Sequence, residues 1–377
     1  MSLSWHPSAI SVPVTGSRTH DHGAFAERKL SLLCQGLGTS ARFTREFTRV
    51  FRLMSRSWSD WPLGSKPAWP TDITDDGTPF EFSVAFDGKK PKLRLLVESQ
   101  ERPMTATSTW NAGLDLNERL SQTYDADLAR FEHVRDLFAP AQDMPARFFL
   151  WHAAVLEEGV APAFKVYMNP QVHGSHASQT VVLKALARLN LDGAAGFFVS
   201  RSSSCQHDRF LYFSLDLAGG PSARVKVYVA QPNATAEHVE RALDGTGNYV
   251  RGEATEWIHR LLGAGGGPFE DRPILICYSF TSSGAPPLAT VHLPVRSYTK
   301  DDEDSLERTQ SYLSAKDGQM LRSALRLFAD RPLSTGRGLF TYASLRRLKE
   351  GLSVTGYFAP EAFAVFPPRA STPTIRR

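Results

Sequence analysis

Strict alternation of apolar and polar residues begins in the segment FEFSVAF, residues 80–86. Because successive side chains of a β-strand point to opposite sides, its three phenylalanines and its valine share one face, and Glu81 lies on the other. Nine further segments are typical of strands, and short turns join all ten into five antiparallel hairpins. The pairs are FEFSVAF with KLRLLVE, RFFLWHAAVLE with AFKVYMN, RFLYFSLDL with ARVKVYVA, PILICYSF with LATVHLPVRSY, and GLFTYASLRRL with LSVTGYFA.

Stretches with the apolar spacing of amphipathic helices separate the hairpins. They are NERLSQTYDADLARFEHVRDLF, SQTVVLKALARLNL, TAEHVERALD with ATEWIHRLLG, and DSLERTQSYLSAKDGQMLRSALRLFAD. Two more, AFAERKLSLLCQGL and RFTREFTRVFRLMSR, precede the first hairpin. Because closure removes the free edges of a sheet, this order predicts an α+β fold: a ten-stranded antiparallel closed barrel with a solvent-filled lumen, surrounded by a ring of helices.

The pattern predicts one structural domain in three parts. An N-terminal helical section, residues 1–75, packs on the barrel and ends in the turn-rich segment WPLGSKPAWPTDITDDGTP. The barrel covers residues 76–362, and residues 363–377 form a disordered tail.

The helices need an apolar surface to pack against, and the apolar strand faces supply it. The polar faces then point into the lumen. An open sheet whose polar faces meet solvent is the alternative, and for any single strand it is the simpler one. Five hairpins, each followed by a helix or by the chain end, favour the closed barrel. Its lumen would be lined by Glu81, Arg94, Lys165, Tyr167, Arg224, Lys226, Tyr228, Ser353, Thr355 and Tyr357.

Composition narrows the class of protein. The 377 residues are 42% hydrophobic and 22% charged, which is ordinary for a globular chain, and a net charge of +4 is not the signature of a nucleic-acid binder. No run of eighteen apolar residues is present, and MSLSWHPSAISVPV lacks the pattern of a secretory signal. Cys34, Cys205 and Cys277 have no metal-ligand spacing. We therefore expect a reduced, cytoplasmic protein with no membrane partner.

The cationic side chains of the lumen indicate its chemistry. Arg94, Lys165, Arg224, Lys226 and Arg296 would repel each other in one enclosed space, and burying them unpaired is costly. A bound anion removes this cost. Lysine and arginine together suit a diphosphate, and the tyrosine rings beside them can attract a cation. A diphosphate leaving group next to a shielded carbocation is the chemistry of prenyl transfer.

Several stretches resemble a known family. TPFEFSVAF, KLRLLVES, FKVYMNP, RVKVYVA and TGYFAP are similar, in the same order, to motifs of aromatic prenyltransferases of the dimethylallyltryptophan synthase family. The resemblance covers about residues 75–360 and implies that family's ABBA barrel, ten antiparallel strands inside a ring of helices. The chain is shorter than the fungal members, and in its length it resembles a bacterial branch of the family.

The resemblance implies a role for each matching residue. Glu81 corresponds to the carboxylate that accepts the indole N–H. Residues on the diphosphate side correspond to Arg94, Lys165, Tyr167, Arg224, Lys226 and Tyr228. Tyrosines that shield the allyl cation correspond to Tyr167, Tyr228, Tyr342 and Tyr357.

The chain also departs from the fungal pattern. His152 stands thirteen residues before the Lys-x-Tyr motif, where fungal members have a proton-relaying lysine. A histidine can relay a proton, so we expect His152 to be catalytic, the alternative being a packed strand residue. Thr290-Val291-His292 replaces a Gln-x-Tyr pattern, and we expect His292 and Arg296 among the diphosphate contacts. Asn169 replaces a tyrosine that helps to hold the amino acid.

These features predict transfer of a dimethylallyl group from dimethylallyl diphosphate to the indole ring of L-tryptophan or a close derivative. We expect no cofactor and no Mg²⁺, because the cations neutralise the diphosphate and the segment DDEDS is better explained as a helix N-terminus. The alternatives are another acceptor (tyrosine, a cyclic dipeptide or a hydroxynaphthalene) and a non-enzymatic module that binds single-stranded nucleic acid. With the enzyme we expect no nucleic-acid partner and a monomer or weak homodimer.

Overall fold

The computed structural model describes residues 12–13, 21–141, 148–201, 208–263 and 265–370. Its strands are β1 (Val12–Pro13), β2 (Phe80–Phe86), β3 (Lys92–Glu98), β4 (Leu150–Leu156), β5 (Ala163–Met168), β6 (Arg209–Asp216), β7 (Val225–Gln231), β8 (Ile274–Phe280), β9 (Leu288–Leu293), β10 (Phe340–Leu348), β11 (Gly351–Phe358) and β12 (Ala364–Val365). Its α-helices are α1 (His22–Gly36), α2 (Ala41–Met54), α3 (Ala106–Tyr124), α4 (Ala129–Glu132), α5 (Ser178–Arg188), α6 (Asp192–Val199), α7 (Ala236–Leu243), α8 (Glu253–Leu262), α9 (Val295–Tyr298), α10 (Asp302–Gln310) and α11 (Ala315–Phe328).

Ten strands close into a barrel in the order β10-β11-β2-β3-β4-β5-β6-β7-β8-β9. Each consecutive hairpin is antiparallel, and β9 pairs with β10 to complete the ring. The five predicted hairpins and the closed barrel are therefore confirmed. Closure leaves these strands without a free edge and fixes which side of each strand faces inward.

The apolar faces of the barrel point outward into the helices, as the alternation predicts. In β2, the ring of Phe80 lies 5.7 Å from that of Phe51 in α2, and the ring of Phe82 lies 6.0 Å from that of Phe47. Burying one such side chain contributes ~1.5–3 kcal/mol. The N-terminal helical section therefore packs on the barrel through the residues that give it its apolar spacing.

The C-terminal segment corrects one expectation. Residues 363–370 are not a disordered tail, because Phe363 and Phe366 are buried and Ala364–Val365 pairs with Val12–Pro13. Apolar residues placed at the end of the barrel gain more from burial than the segment loses in chain entropy. Residues 371–377 lie outside the described part of the chain.

The acidic segment DDEDS begins α10, as predicted. The Oδ1 of Asp301 accepts a hydrogen bond of 3.0 Å from the Asp304 N–H and caps the helix. Asp302 is buried, and its carboxylate accepts the backbone N–H groups of Gly338 and Phe340 at 2.9 Å. The carboxylate of Asp301 thus caps α10, and that of Asp302 ties the helix to the start of β10. Both carboxylates stabilise the fold. Among the described helices, none is both long and apolar enough to span a membrane.

Candidate active site

The barrel encloses a chamber with a volume of about 1110 Å³. Ten of the twelve predicted site residues line it: Glu81, Arg94, Lys165, Tyr167, Arg224, Lys226, Tyr228, His292, Tyr342 and Tyr357. They meet there because each side chain points inward from a barrel strand, or in the case of Arg224 from the residue just before one, and the closed order of strands brings those positions together.

Cations concentrate on one side of the chamber. Burial first, and then the charges of Lys226, Arg94 and Arg224, hold the pKa of Lys165 well below its ordinary value. Burial is also the main reason why the pKa of Lys226 falls to about 8. These lowered pKa values mean that burial and the neighbouring cations make it costly for Lys165 and Lys226 to keep their charge. A bound anion would reverse them, so the arrangement suits a multiply charged anionic ligand.

Arg346 belongs to this cation cluster and was missed in the sequence. It lines the chamber from β10, and burial, followed by the charges of Arg94 and Arg224, lowers its pKa. Tyr342, Ser344 and Arg346 occupy alternate positions of one strand. The same alternation that located Lys226 would therefore have identified Arg346 once Tyr342 was placed inside.

One carboxylate, that of Asp216, lies among the cations. The register places Asp216 opposite Lys165, and its Oδ2 accepts a hydrogen bond of 2.7 Å from Nε of Arg224. Burial alone would raise the pKa of Asp216, but the charges of Lys165 and Arg224 outweigh it and keep that pKa below the usual value. Five cations against one carboxylate leave a surplus of positive charge for a ligand.

Aromatic rings form a continuous belt around the chamber. Centroid distances are 5.1 Å from Trp151 to Tyr212, 5.7 Å from Tyr212 to Tyr228, 5.7 Å from Tyr228 to His292 and 5.6 Å from His292 to Tyr357. Burial, then the charges of Lys226 and Arg94, lower the pKa of His292 to about 3, so this ring stays neutral. A belt of neutral π-systems next to the cation cluster can stabilise a carbocation without adding positive charge.

Tyr167 adds a further ring to this belt. Its ring centroid lies 5.8 Å from that of Tyr228, and the two hydroxyl oxygens are 3.5 Å apart. Burial raises the pKa of Tyr167 to about 12, so its hydroxyl keeps its proton. It can therefore donate a hydrogen bond to an anion as well as present its ring to a cation.

Glu81 occupies a buried position away from the cation cluster. Its Oε2 accepts a hydrogen bond of 3.0 Å from Oγ1 of Thr341. Burial, with a smaller contribution from the negative charge of Asp75, raises the pKa of Glu81 to about 8. This pKa is close to that of an effective acid–base group at neutral pH.

A simpler account of Glu81, an ion pair across the β2–β3 hairpin, does not match the contacts. Lys92 instead pairs with Asp87 at 2.7 Å and with Glu157 at 3.6 Å. The hydrogen bond from Thr341 reaches Glu81 from the far end of the chain. This hydrogen bond, and not an ion pair across the hairpin, therefore fixes the Glu81 side chain in the chamber.

His152 lies on the outer face of the barrel, so its predicted catalytic role is wrong. The register pairs His152 with the outward-facing Val97, and its Nε2 lies 3.0 Å from Oδ1 of Asn117 in α3. Burial lowers its pKa to about 3. The inward positions of β4 are those of Trp151 and Ala153, because a shift of one residue changes the face of a strand. His152 is therefore a packed strand residue, which is the alternative to the catalytic role given in the sequence analysis.

Arg296 also lies outside the chamber, which contradicts its assignment to the diphosphate site. Strand β9 ends at Leu293, and Pro294, which lacks an N–H for the ladder, precedes the short helix that carries Arg296. The side chain of Arg296 is 2% exposed, and its guanidinium forms an ion pair with Asp75.

In the part of the chain that the structure describes, no group of three or more His, Cys, Asp or Glu side chains could hold a metal ion. Cys34 and Cys277 are buried free thiols, and Cys205 lies outside the described residues. The chemistry open to the chamber is that of its cations, its aromatic belt and its buried carboxyl groups.

Comparison with known proteins shows the family of the chain. A sequence model described as tryptophan dimethylallyltransferase matches residues 55–325. The structure of 6-dimethylallyltryptophan synthase from Micromonospora olivasterospora, in complex with DMASPP and Trp, is 30% identical, with a TM-score of 0.83 over 93% of this chain and 100% of that one. The 5-dimethylallyl tryptophan synthase from Streptomyces coelicolor is 28% identical, with a TM-score of 0.83 over 96% of this chain and 100% of that one.

A more distant relative is a prenyltransferase, FogH, of Aspergillus ruber. It is 24% identical across 95% of this chain and 96% of its own length. The fold is the ABBA prenyltransferase barrel, in agreement with these solved structures. Since the sequence model covers most of the chain, the protein belongs to the tryptophan dimethylallyltransferase family.

Proposed function

We propose that this protein transfers a dimethylallyl group from dimethylallyl diphosphate to the indole ring of L-tryptophan or a close indole derivative. The observation that carries the proposal is the chamber itself, in which a cation cluster, a belt of neutral aromatic rings and the buried Glu81 face one enclosed space. Membership of the family and the 6- and 5-dimethylallyltryptophan synthases among its relatives support it.

The cation cluster would bind the diphosphate of the donor. As the bond between the allyl carbon and oxygen breaks, its electron pair leaves with the diphosphate, and Arg94, Lys165, Arg224, Lys226 and Arg346 stabilise the growing negative charge. Arginine offers forked hydrogen bonds to phosphate oxygens, while lysine offers a compact charge. The lowered pKa of Lys226 would rise when the anion binds, so both lysines are charged in the complex.

The aromatic belt would shield the allyl cation that remains. Tyr167, Tyr228, Tyr342 and Tyr357 line the chamber with His292, and their rings exclude water from the cation. A ring of the acceptor then attacks the cation, and a carbon–carbon bond forms. The attacked ring carbon then loses its proton to an oxygen of the diphosphate released into the same chamber, and this restores aromaticity. His152 takes no part in this step, because its side chain lies on the outer face of the barrel.

Glu81 would bind the N–H of the indole. Positive charge develops on the ring during attack and makes this N–H more acidic, so its hydrogen bond to the Glu81 carboxylate strengthens in the transition state. With a pKa near 8, the ionised form of this group is also basic enough to accept the proton outright. Thr341 holds Oε2 of the carboxyl group, which leaves the other oxygen for the substrate.

We further propose that the reaction needs no metal ion, since the cation cluster neutralises the leaving group. The closed barrel weighs against the nucleic-acid alternative, because single-stranded nucleic acid needs an open groove and these cations face an enclosed chamber. A carboxyl group at Glu81 favours an N–H over a phenol as the acceptor's recognised group, which places indoles ahead of tyrosine or a hydroxynaphthalene.

The proposal is tested by incubating the protein with dimethylallyl diphosphate and a panel of indoles, phenols and cyclic dipeptides. We expect L-tryptophan to gain one dimethylallyl group by mass, on a ring carbon by NMR. If only phenols are prenylated, the acceptor is a phenol and the proposed indole acceptor is wrong. The absence of any prenylated product would overturn the whole proposal.

A further inference from the structure

A free thiol lies inside the chamber and takes no part in the reaction described above. Cys277 is 2% exposed and lines the chamber from β8. Its partners in the register are Tyr228 on β7 and Thr290 on β9. Directly opposite residues of antiparallel strands have their Cβ atoms ~4.5–5.5 Å apart, so the thiol lies beside the Tyr228 side chain.

Cys277 lies where the cation cluster meets the aromatic belt. Lys226 of the cluster and Tyr228 of the belt are two residues apart on the inner face of β7, which makes Lys226 a diagonal neighbour of Cys277. The electrostatics agree with this position. Burial has the largest effect on the pKa of Lys226 and on that of Tyr228, and Cys277 has the next largest effect on both.

Lys165 gives independent evidence that an anionic ligand binds at this junction. Its side chain is 6% exposed and points into the chamber. Within the described part of the chain, its ammonium group forms no hydrogen bond and no ion pair, and burying such a charge unpaired is costly. A diphosphate held by Lys165 and Lys226 removes this cost. The allyl group attached to it then extends toward the ring of Tyr228, next to Cys277.

We propose that Cys277 captures the allyl cation when no acceptor is bound, so that the enzyme prenylates itself in the presence of the donor alone. The bond between the allyl carbon and oxygen breaks, and its electron pair leaves with the diphosphate. A lone pair of the polarizable sulfur forms the new carbon–sulfur bond, and the thiol proton passes to a diphosphate oxygen. The products are a thioether and free diphosphate, and no other reactant is needed. This inference rests on the proposed function, since it uses the same donor and chamber.

This side reaction has a consequence for turnover. The acceptor ring and the sulfur compete for one cation, so a bound acceptor suppresses the capture. A dimethylallyl group attached to Cys277 would remain beside Tyr228, in the space that the next donor needs. Incubation with the donor alone should therefore inactivate the enzyme, and L-tryptophan should protect it.

The first test is mass spectrometry of the protein after incubation with dimethylallyl diphosphate and no acceptor. We expect the peptide that contains Cys277 to gain the mass of one dimethylallyl group in place of a hydrogen. The gain should disappear in Cys277→Ser, whose hydroxyl is similar in size but a weaker nucleophile. It should persist in Cys34→Ala, the matched control, because Cys34 is a buried thiol of α1 that does not line the chamber.

Activity after this incubation is the second measurement. The wild type should lose prenylation of L-tryptophan in proportion to the modified fraction, whereas Cys277→Ser should keep its own starting rate. If the wild type prenylates L-tryptophan but Cys277 stays unmodified, the inference is wrong and the proposed function stands. Equal losses of activity in the wild type and Cys277→Ser would also contradict the inference.

A labelling measurement on the wild type places the thiol without any turnover. Iodoacetamide alkylates free thiols, and dimethylallyl thiolodiphosphate is a donor analogue that ionises much more slowly than the donor. At ~100 times its dissociation constant, the analogue should slow alkylation of Cys277 by ~100-fold, because only the unbound protein reacts. If no acceptor is prenylated, the proposed function fails, while this result still decides whether Cys277 faces the donor. An unchanged rate of alkylation would overturn the inference.

Discussion

Oδ2 of Asp216 accepts a hydrogen bond of 2.7 Å from Nε of Arg224, inside the cation cluster of the chamber. The backbone N–H of Arg224 donates a second hydrogen bond, of 3.2 Å, to the same oxygen. Asp216 thus orients Arg224 and offsets part of the repulsion among its neighbours, Lys165 and Lys226, whose charges act on it. Under the proposed function, both effects would prepare the chamber for the diphosphate of the donor.

This relationship predicts how Asp216→Asn responds to diphosphate. Without the carboxylate, the cations repel each other more strongly, so we expect the melting temperature to fall by several degrees. Added inorganic diphosphate should then raise it more in the variant than in the wild type, since a ligand that binds only the folded state stabilises it. Thermal melts with and without diphosphate check this. Equal ligand-induced shifts in both proteins would show that Asp216 does not offset the cluster's charge.

Arg346 and Arg347 form a matched pair for testing the cation cluster. Arg346 faces the chamber, whereas the neighbouring Arg347 pairs with Glu253 on the outer face. Removing one donor to a developing charge typically lowers turnover by ~10²–10³. We expect this loss for Arg346→Gln, as for Lys226→Ala or Arg224→Ala, and turnover near that of the wild type for Arg347→Gln. Steady-state rates of the folded variants decide, and similar rates for Arg346→Gln and Arg347→Gln would remove Arg346 from the site.

The raised pKa of Glu81 predicts a pH-dependent difference in stability. In the folded protein its pKa is about 8, against an ordinary value of 4.5. Between these values the folded state keeps a proton that the unfolded chain releases, so the free energy of unfolding falls as pH rises. Glu81→Gln has no such proton, and we expect its stability relative to the wild type to increase from pH ~4.5 to ~8 and then level off. Urea unfolding of both proteins across this range measures the difference. A constant difference would mean that the carboxyl group is not buried as described.

Metal independence is tested by chelation. The cation cluster supplies the charge that a divalent ion would otherwise bring to a diphosphate, so we expect turnover to be unchanged in excess EDTA. The measurement is product formation with and without EDTA, followed by addition of Mg²⁺. Loss of activity on chelation that Mg²⁺ restores would contradict the proposed role of the cluster.

Alternation in the sequence was enough to predict the barrel and most of the site. Lys226 and Tyr228 lie two residues apart on a strand whose other face begins with three valines, so their inward direction follows once the helices are placed outside. A strand has only two faces, and a closed barrel gives each a fixed environment. This is why local patterns could locate residues that are distant in the chain.

The two wrong site assignments, those of His152 and Arg296, also have local causes. His152 was placed by counting residues from a motif on the next strand, and a shift of one residue moves a side chain to the other face. Arg296 was read as part of a strand, but the strand stops before Pro294. The ion pairs that bring Asp75, Arg272 and Arg296 together join segments far apart in the chain, and no spacing within one segment predicts them.

The most direct measurement of the central claim is turnover by the wild type and Glu81→Gln with L-tryptophan and with its 1-methyl derivative. Glu81→Gln keeps the shape of the side chain but offers only a neutral acceptor to the indole N–H, and 1-methylation removes that N–H. The account predicts that Glu81→Gln lowers turnover of L-tryptophan at least ~100-fold and that the 1-methyl derivative is a poor substrate of the wild type. Near-normal turnover of L-tryptophan by Glu81→Gln, with little effect of methylation, would contradict it.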